Sequence, residues 1–97
     1  MKTFSSTESQ DFLQHLHFWK FADNAIERHF EFKNFSESLA FILQVGLLAE
    51  KADHHPEIFN VYNKVNLRLS THDWNGVTTK DFDLAKKINA LFAEDLK

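Results

Sequence analysis

Residues 26–56 read IERHFEFKNFSESLAFILQVGLLAEKADHHP, and the spacing of the apolar side chains changes once within this stretch. From Ile26 to Phe32 one set of alternate positions is mostly apolar and the other is polar, which is typical of a strand with one buried face. Beyond Asn34 the apolar residues recur at intervals of three and four, which predicts a helix that ends before Pro56. These residues therefore predict a strand followed directly by a long helix.

The predicted helix begins after Asn34, whose spacing to Glu37 is that of a capping box, and it runs to about residue 52. Its core face is predicted from helical spacing and comprises Phe35, Leu39, Ile42, Val45, Ala49 and Ala52. Phe41, Leu47 and Leu48 lie off this stripe, and we expect them at the surface. Exposed apolar side chains on one helix favour an oligomer that forms through that helix.

Two segments predict the strands of the fold. Residues 18–32 predict a β-hairpin that turns at Asp23-Asn24 and buries one face. Residues 58–69 alternate as a strand, but twelve residues exceed the usual strand length, so a turn near Asn63 is expected to divide them. The odd positions of this second segment carry its strand pattern: Val61, Asn63, Val65, Leu67 and Leu69.

Capping-box spacings predict two further helices, one near each end of the chain. Ser5 and Glu8 precede an apolar face that predicts a first helix near residues 6–16, and Thr78 and Asp81 precede a last helix that runs to about residue 95. Strand pairs separated by helices indicate an α+β fold with two layers. We expect an antiparallel four-stranded sheet with three helices on one face, in the order helix, then ββαββα.

Length, charge and composition narrow the class of protein. The 97 residues predict one domain spanning residues 1–97, and the 11 phenylalanines supply either its core or a surface for self-association. A net charge of −3 leaves no basic stripe, so direct nucleic-acid binding is not expected. The absence of cysteine excludes disulfides and thiolate zinc sites. Neither an apolar leader nor a run of about 20 apolar residues occurs, so we expect a soluble cytoplasmic protein that does not bind membranes.

The candidate site is a group of histidines close to one another in the sequence. His54 and His55 precede Pro56, and His72 follows in the sequence STHD. Each imidazole titrates near neutrality and can donate or accept a proton, and a positioned acid or base is worth about 10² to 10⁴ in rate. Two such groups suit a dehydration or an isomerisation, which needs no nucleophile. This stretch offers neither a cysteine nor a serine between glycines.

Other interpretations of these residues remain open at this point. Adjacent side chains point apart, so His54, His55 and His72 are a less favoured metal site than histidines spaced four apart. Asp81 either completes a capping box with Thr78 or supports an imidazole. The histidines outside the group are interpreted as helix-end or surface residues: His15, His17 and His29.

Three further side chains also have both a structural and a functional interpretation. Trp19 is either a core residue or a flat surface that stacks on a planar heterocycle. Glu50 and Asp53 belong either to the solvated end of a helix or to the site, where a carboxylate accepts the second N–H of an imidazole.

Several motifs together resemble the pterin-4a-carbinolamine dehydratases. They are EKADHHPE at residues 50–57, NVYNKV at 60–65, STHD at 70–73, Gly76, and Asp81 with Ala85. Upstream, Trp19 and the sequence FEFKNF at residues 30–35 are also similar to that family. The resemblance covers about residues 18–92. One departure is Phe18, which stands before the tryptophan where many members carry glycine.

The resemblance implies a hydro-lyase that removes water from a 4a-hydroxytetrahydropterin to give quinonoid dihydropterin, within tetrahydrobiopterin recycling. It implies no metal and no cofactor, because the pterin is the substrate. His54, His55 and His72 would be the essential histidines, with Asp81 in support. The residues that would bind the pterin are Trp19, Glu50, Asp53, His54, His55, Pro56, Ser70, Thr71, His72 and Asp73.

The resemblance also implies partners. Members of this family form homodimers or homotetramers, and animal members bind a homeodomain transcription factor through a helical surface, which would add a nuclear location. In this chain that surface would lie on the exposed face of the second helix, around Glu37, Phe41, Gln44, Leu47 and Leu48. A non-catalytic dimerisation cofactor of transcription is therefore the alternative function.

Overall fold

The order of elements in the computed structural model, which describes residues 2–95, is helix, two strands, helix, two strands, helix. The elements are α1 Ser6–Leu13, β1 Lys20–Ala22, β2 Ala25–Glu31, α2 Phe35–Ala52, β3 Glu57–Val61, β4 Lys64–Leu69, a 3₁₀ turn His72–Trp74, and α3 Thr79–Asp95. This order confirms the predicted two-layer α+β fold. No helix of the described part of the chain has the length and apolarity that crossing a membrane requires.

The sheet is antiparallel, with strand order β1-β2-β4-β3. In the central pair, Ile26 lies opposite Leu69 and Phe30 lies opposite Val65, so the apolar sets of β2 and β4 share one face. These four side chains are buried, and they belong to the same core cluster as Phe41 and Val45 of α2 and Phe82 of α3. The alternation in the sequence therefore selects the face that the helices cover.

Two tight turns form where the sequence predicts them. Asp23 and Asn24 join β1 to β2 with backbone φ angles of 49° and 62°, in the left-handed region that Asn and Asp tolerate best among non-glycine residues. Tyr62 joins β3 to β4 with φ 51°, and the expected turn near Asn63 is confirmed. The two-residue turn places Val61 opposite Lys64, so the odd positions change faces between the strands. The expectation that Val61 shares the face of Val65 was wrong, and Val61 is 56% exposed.

The buried face of α2 differs from the predicted one. Phe41, Val45 and Ala49 are buried, together with Ser38, whereas Phe35 and Leu39 are exposed. Ala52 is exposed as well, so three of the six predicted core positions were wrong, and Phe41 was wrongly placed at the surface. The helix is apolar on more than one face, and its spacing alone could not select which face meets the sheet. Phe41 meets Phe30 with ring centroids 4.8 Å apart, which fixes the orientation.

A polar centre lies within the core between β2 and α3. The Oδ1 atom of Asn89 accepts hydrogen bonds from Trp19 Nε1 at 2.7 Å and from Arg28 Nη1 at 2.5 Å. Asn89 Nδ2 donates to the carbonyl of His17 at 3.2 Å. The Arg28 guanidinium lies 4.4 Å from the ring centroid of Phe30, and its burial lowers its pKa below the ordinary value. One amide oxygen therefore accepts from two buried donors, Trp19 just before β1 and Arg28 in β2.

We predict that Asn89→Ala lowers the free energy of unfolding by about 2 to 4 kcal/mol, because Trp19 Nε1 and Arg28 Nη1 both lose their acceptor. Urea denaturation followed by tryptophan fluorescence measures the loss. Gln10→Ala is the control, since this exposed side chain makes only one long hydrogen bond, and it is expected to change stability by less than about 0.5 kcal/mol. Equal effects of the two variants would contradict the role assigned to Asn89.

Candidate active site

The end of α2 separates the two adjacent histidines. Asp53 ends the helix in the left-handed conformation with φ 51°, and the His54 N–H donates to the Ala49 carbonyl at 3.1 Å. After this reversal His54 is buried at 8% exposure, whereas His55 is exposed. The chain then enters β3 through Pro56. The two imidazoles therefore lie in different environments, as expected for neighbours that point apart.

His54 is held by a carboxylate with no solvent exposure. Its Nε2 lies 2.5 Å from Oδ1 of Asp81 in the first turn of α3. The other oxygen, Oδ2, accepts hydrogen bonds from Thr71 Oγ1 at 2.9 Å and from the Thr78 N–H at 2.8 Å. Asp81 thus binds the N-terminal end of α3 and the imidazole at once, so the two interpretations of this residue do not compete. A charged acceptor strengthens each of these bonds.

His55 has a separate carboxylate partner at the surface. Its Nε2 lies 2.5 Å from Oε1 of Glu50, one turn earlier on α2, and both side chains are more than half exposed. Glu50 therefore contacts an imidazole, as the second of its two interpretations expects. Water screens this pair, so its contribution to stability is small.

His72 is connected to the buried pair of His54 and Asp81 only through the residue before it, Thr71, among the described contacts. It is the exposed first residue of the 3₁₀ turn and follows Thr71 directly. Ser70, Thr71 and His72 line a polar cavity of about 230 Å³, whose other walls are Asp23, Asn24, Arg68, Asn75 and Gly76. His54 lies in the wall of a second cavity of about 240 Å³, with Ala52, Lys80, Asp83, Leu84 and Lys87. The structure joins these two walls through Thr71, which contacts Asp81.

Three contacts that the sequence did not predict hold the turn that carries His72. Thr3 Oγ1 donates to the Trp74 carbonyl at 2.9 Å, and Asn24 Nδ2 donates to the Asn75 carbonyl at 2.7 Å. A Cβ atom on Gly76 would overlap Cγ2 of Thr3, so any other residue here would displace the Thr3 side chain; the backbone itself has no positive φ. These residues are far apart in sequence, and no local motif reports such contacts.

The remaining residues predicted to bind substrate are placed in three ways. Trp19 is buried at 5% exposure, with its indole N–H on Asn89 and its ring against Phe30, so the structure favours its core interpretation and does not bring it to the histidines by any described contact. Asp53 and Asp73 are exposed, and Pro56 is partly buried. Thr71 is buried, and its hydroxyl is already bonded to Asp81 and Thr78.

Neither the larger cavity nor any acidic or histidine cluster of the described residues offers a competing site of this kind. A larger cavity of about 450 Å³ lies between β2, α2 and α3, and its lining, which includes Glu31, Phe32, Glu37 and Phe92, contains no histidine. Within residues 2–95, no cluster of three or more His, Asp or Glu side chains has an arrangement that could hold a metal ion. The candidate residues for proton transfer are therefore His54, which is bonded to Asp81, the neighbouring His55, and His72, which follows Thr71.

Comparison with known proteins places this chain in a family. Residues 2–91 match the model of the family described as pterin 4 alpha carbinolamine dehydratase. A protein of Brucella ovis, named provisionally as a pterin-4-alpha-carbinolamine dehydratase, is 46% identical over 89 residues, which are 90% of this chain and 92% of that protein.

Two solved structures are similar to this fold. The crystal structure of a transcriptional coactivator/pterin dehydratase from Brucella melitensis superposes with a TM-score of 0.86 at 45% identity, and the match covers 92% of this chain and 97% of that one. A pterin dehydratase-like protein identified as a RuBisCO assembly factor in the alpha-carboxysome has a TM-score of 0.66 at 22% identity, covering 79% of this chain and 92% of that one. The second similarity concerns the fold alone.

We predict that Asp81→Ala lowers the free energy of unfolding by about 3 kcal/mol, because His54, Thr71 and the Thr78 N–H would lose a shared buried acceptor. Chemical denaturation measures the effect. Asp83→Ala removes an exposed carboxylate from the same helix and is expected to cost less than about 0.5 kcal/mol. A cost for Asp81→Ala no larger than that of the control would contradict the buried network.

Proposed function

This chain belongs to the pterin 4 alpha carbinolamine dehydratase family, and on that premise we propose that it removes water from a 4a-hydroxytetrahydropterin to give quinonoid dihydropterin. The observation that supports the proposal most directly is the buried contact of 2.5 Å between His54 and Asp81, while His55 and His72 are exposed. The product would return to the tetrahydropterin pool used by aromatic amino acid hydroxylases, as the family implies.

The proposed reaction needs only proton movements. The carbon–oxygen bond at position 4a breaks, and the lone pair of the adjacent ring nitrogen forms the new carbon–nitrogen double bond. One proton joins the departing hydroxyl to make water, and one proton leaves the ring nitrogen, so no proton is gained or lost overall. A general acid and a general base placed on the two sides of this bond accelerate both transfers.

The three histidines differ in ways that suit this chemistry. His54 is buried and fixed by Asp81, so its ring has one orientation, whereas His55 and His72 are exposed and can exchange protons with water. We propose that His54 acts on the substrate from the inner wall, and that His55 and His72 act from the solvent side. Ser70, Asp53 and Asp73 lie near enough in sequence to these groups to serve as the polar rim of the proposed pterin site.

We predict that His54→Ala, His55→Ala and His72→Ala each reduce kcat for carbinolamine dehydration by about 10² to 10⁴, which is the usual contribution of one general acid or base. Stopped-flow absorbance of the freshly generated carbinolamine measures the rate above the spontaneous reaction. His29→Ala is the matched control, because His29 is exposed on the opposite side of the sheet from the core and is expected to leave the rate unchanged.

Two results would overturn the enzymatic proposal. In the first, the wild-type protein does not exceed the spontaneous dehydration rate. In the second, all three alanine variants match the wild type while remaining folded. Thermal unfolding of each variant separates a loss of chemistry from a loss of structure.

A row of exposed apolar side chains on α2 supports a second proposal, that copies of this chain associate into a homo-oligomer, as dimers or tetramers. Phe35, Leu39, Leu43 and Leu47 recur every four residues and are 44%, 48%, 65% and 63% exposed. A contiguous apolar row of this kind marks a protein contact more often than a free surface. A transcription factor bound to the same row is the alternative function, and it requires no catalysis.

We predict that the wild-type protein sediments as an oligomer at micromolar concentration and that Leu43→Glu shifts it toward the monomer, because a carboxylate would be buried without a partner. Analytical ultracentrifugation measures the change. Gln10→Glu adds the same charge on α1, away from the row, and is expected to leave the assembly intact. A wild-type protein that sediments as a monomer would contradict the homo-oligomer. The exposed row on α2 would then favour binding of a different protein.

A further inference from the structure

We propose that Thr71 and Thr78 are positioning residues, whose two hydroxyls form a relay that holds the His54 proton on Nε2 and leaves Nδ1 as the nitrogen that meets the substrate. This inference rests on the proposed function only in assuming that His54 acts on a substrate. The relay itself is a property of the free protein. It assigns Thr71 to the support of the imidazole instead of to direct contact with the pterin.

The relay follows from counting the protons available to four side chains in contact, which are those of Thr71, Thr78, Asp81 and His54. Thr71 Oγ1 lies 2.9 Å from Asp81 Oδ2 and 2.6 Å from Thr78 Oγ1. An ionised carboxylate only accepts, and each hydroxyl has one hydrogen to donate. Thr71 therefore donates to Asp81, so its single proton is used, and Thr78 must donate to Thr71. The Thr78 hydroxyl therefore donates to Thr71, and the Thr71 hydroxyl donates to Asp81.

The same count of protons decides which ring nitrogen of His54 carries the proton. Asp81 Oδ2 accepts two hydrogen bonds, from Thr71 Oγ1 and from the Thr78 N–H, which leaves Oδ1 for His54 Nε2. Because an ionised Oδ1 can only accept, Nε2 carries the proton of the neutral ring. Nδ1 has no described hydrogen-bond partner among residues 2–95, and it is the nitrogen with a free lone pair. His54 is thereby set as a proton acceptor through one defined atom.

Burial makes this arrangement depend on the two threonines. Thr71 is 5% exposed, and Thr78 and Asp81 are 0% exposed, so water cannot easily replace a missing hydroxyl. The backbone adds rigidity, since the Asp81 N–H donates to the Thr78 carbonyl at 3.1 Å. A charge-bearing acceptor with all its donors in place has one low-energy arrangement, and a partly satisfied one does not.

A capping role alone does not explain the pair. Thr78 precedes α3, and its Oγ1 accepts from the Lys80 N–H at 3.3 Å, which is a weak capping contact. Thr71 belongs to no helix, and it lies seven residues earlier, in an isolated bridge with Gly76. Its hydroxyl satisfies no helix N–H, so its contacts with Asp81 and Thr78 serve the carboxylate.

The test measures the proton position on His54 by long-range ¹H–¹⁵N NMR of histidine-labelled protein without substrate. The spectra are recorded at a pH at which the ¹⁵N shifts of His54 themselves report a neutral ring. We expect the Nε2–H form in the wild type and a loss of that uniform form in Thr71→Val and Thr78→Val. Thr71→Ser and Thr78→Ser keep the hydroxyls and are expected to retain it.

Kinetics of dehydration supply a second measurement. Residues that orient a functional histidine typically change its performance by about 10- to 100-fold, so we expect kcat of the two valine variants to fall by that factor, with KM little changed. Serine is expected to restore kcat. Thr79→Val is the control, because Thr79 is the exposed neighbour at the start of α3 and contacts none of the four groups by any described hydrogen bond.

Each outcome decides the proposal. An Nδ1–H form of His54 in the wild type would overturn it without any variant, even if neither valine variant folds. Folded valine variants that keep the wild-type form would overturn it as well. Absence of dehydratase activity in the wild type would contradict the proposed function but not the relay, because the NMR measurement needs no substrate.

Discussion

The buried carboxylate of Asp81 is the interaction on which the site depends. It joins His54, which lies after α2, to two residues nearer in sequence, Thr71 after β4 and Thr78 before α3. A carboxylate without solvent exposure is costly unless each oxygen is bonded, and here both oxygens are. The same contacts that make its burial tolerable also hold the His54 ring in a fixed position.

The fold places these parts together through its layers. β2 and β4 form the centre of the sheet, and the core side chains of α2 and α3 pack against their shared face. The end of α2, the end of β4 and the beginning of α3 meet at one edge, where Asp53 reverses the chain and Gly76 admits Thr3 and Asn24 at short distance. A second buried polar centre forms between β2 and α3, where Asn89 accepts hydrogen bonds from Trp19 and Arg28.

Local chemistry explains which expectations were confirmed. The hairpin turn at Asp23-Asn24, the turn near Asn63 and the caps of the first two long helical segments depend on residues within a few positions of one another, so the sequence contains their whole cause. The wrong expectations concern packing. Helical spacing placed Leu39 in the core and Phe41 outside, and alternation placed Val61 on the face of Val65, because neither pattern includes the partner that covers a face.

The sequence by itself determined the order of elements, the positions of the turns, the histidines as the candidate site and the resemblance to a family. Only the tertiary structure decided which face of α2 is buried, that Trp19 packs on Asn89, and that His54 is buried against Asp81 while His55 faces solvent with Glu50. The physical reason is the separation in sequence over which each kind of interaction acts. Propensity, capping and spacing act within about one or two turns of chain, whereas His54 and Asp81 lie 27 residues apart and meet only when the helices pack on the sheet.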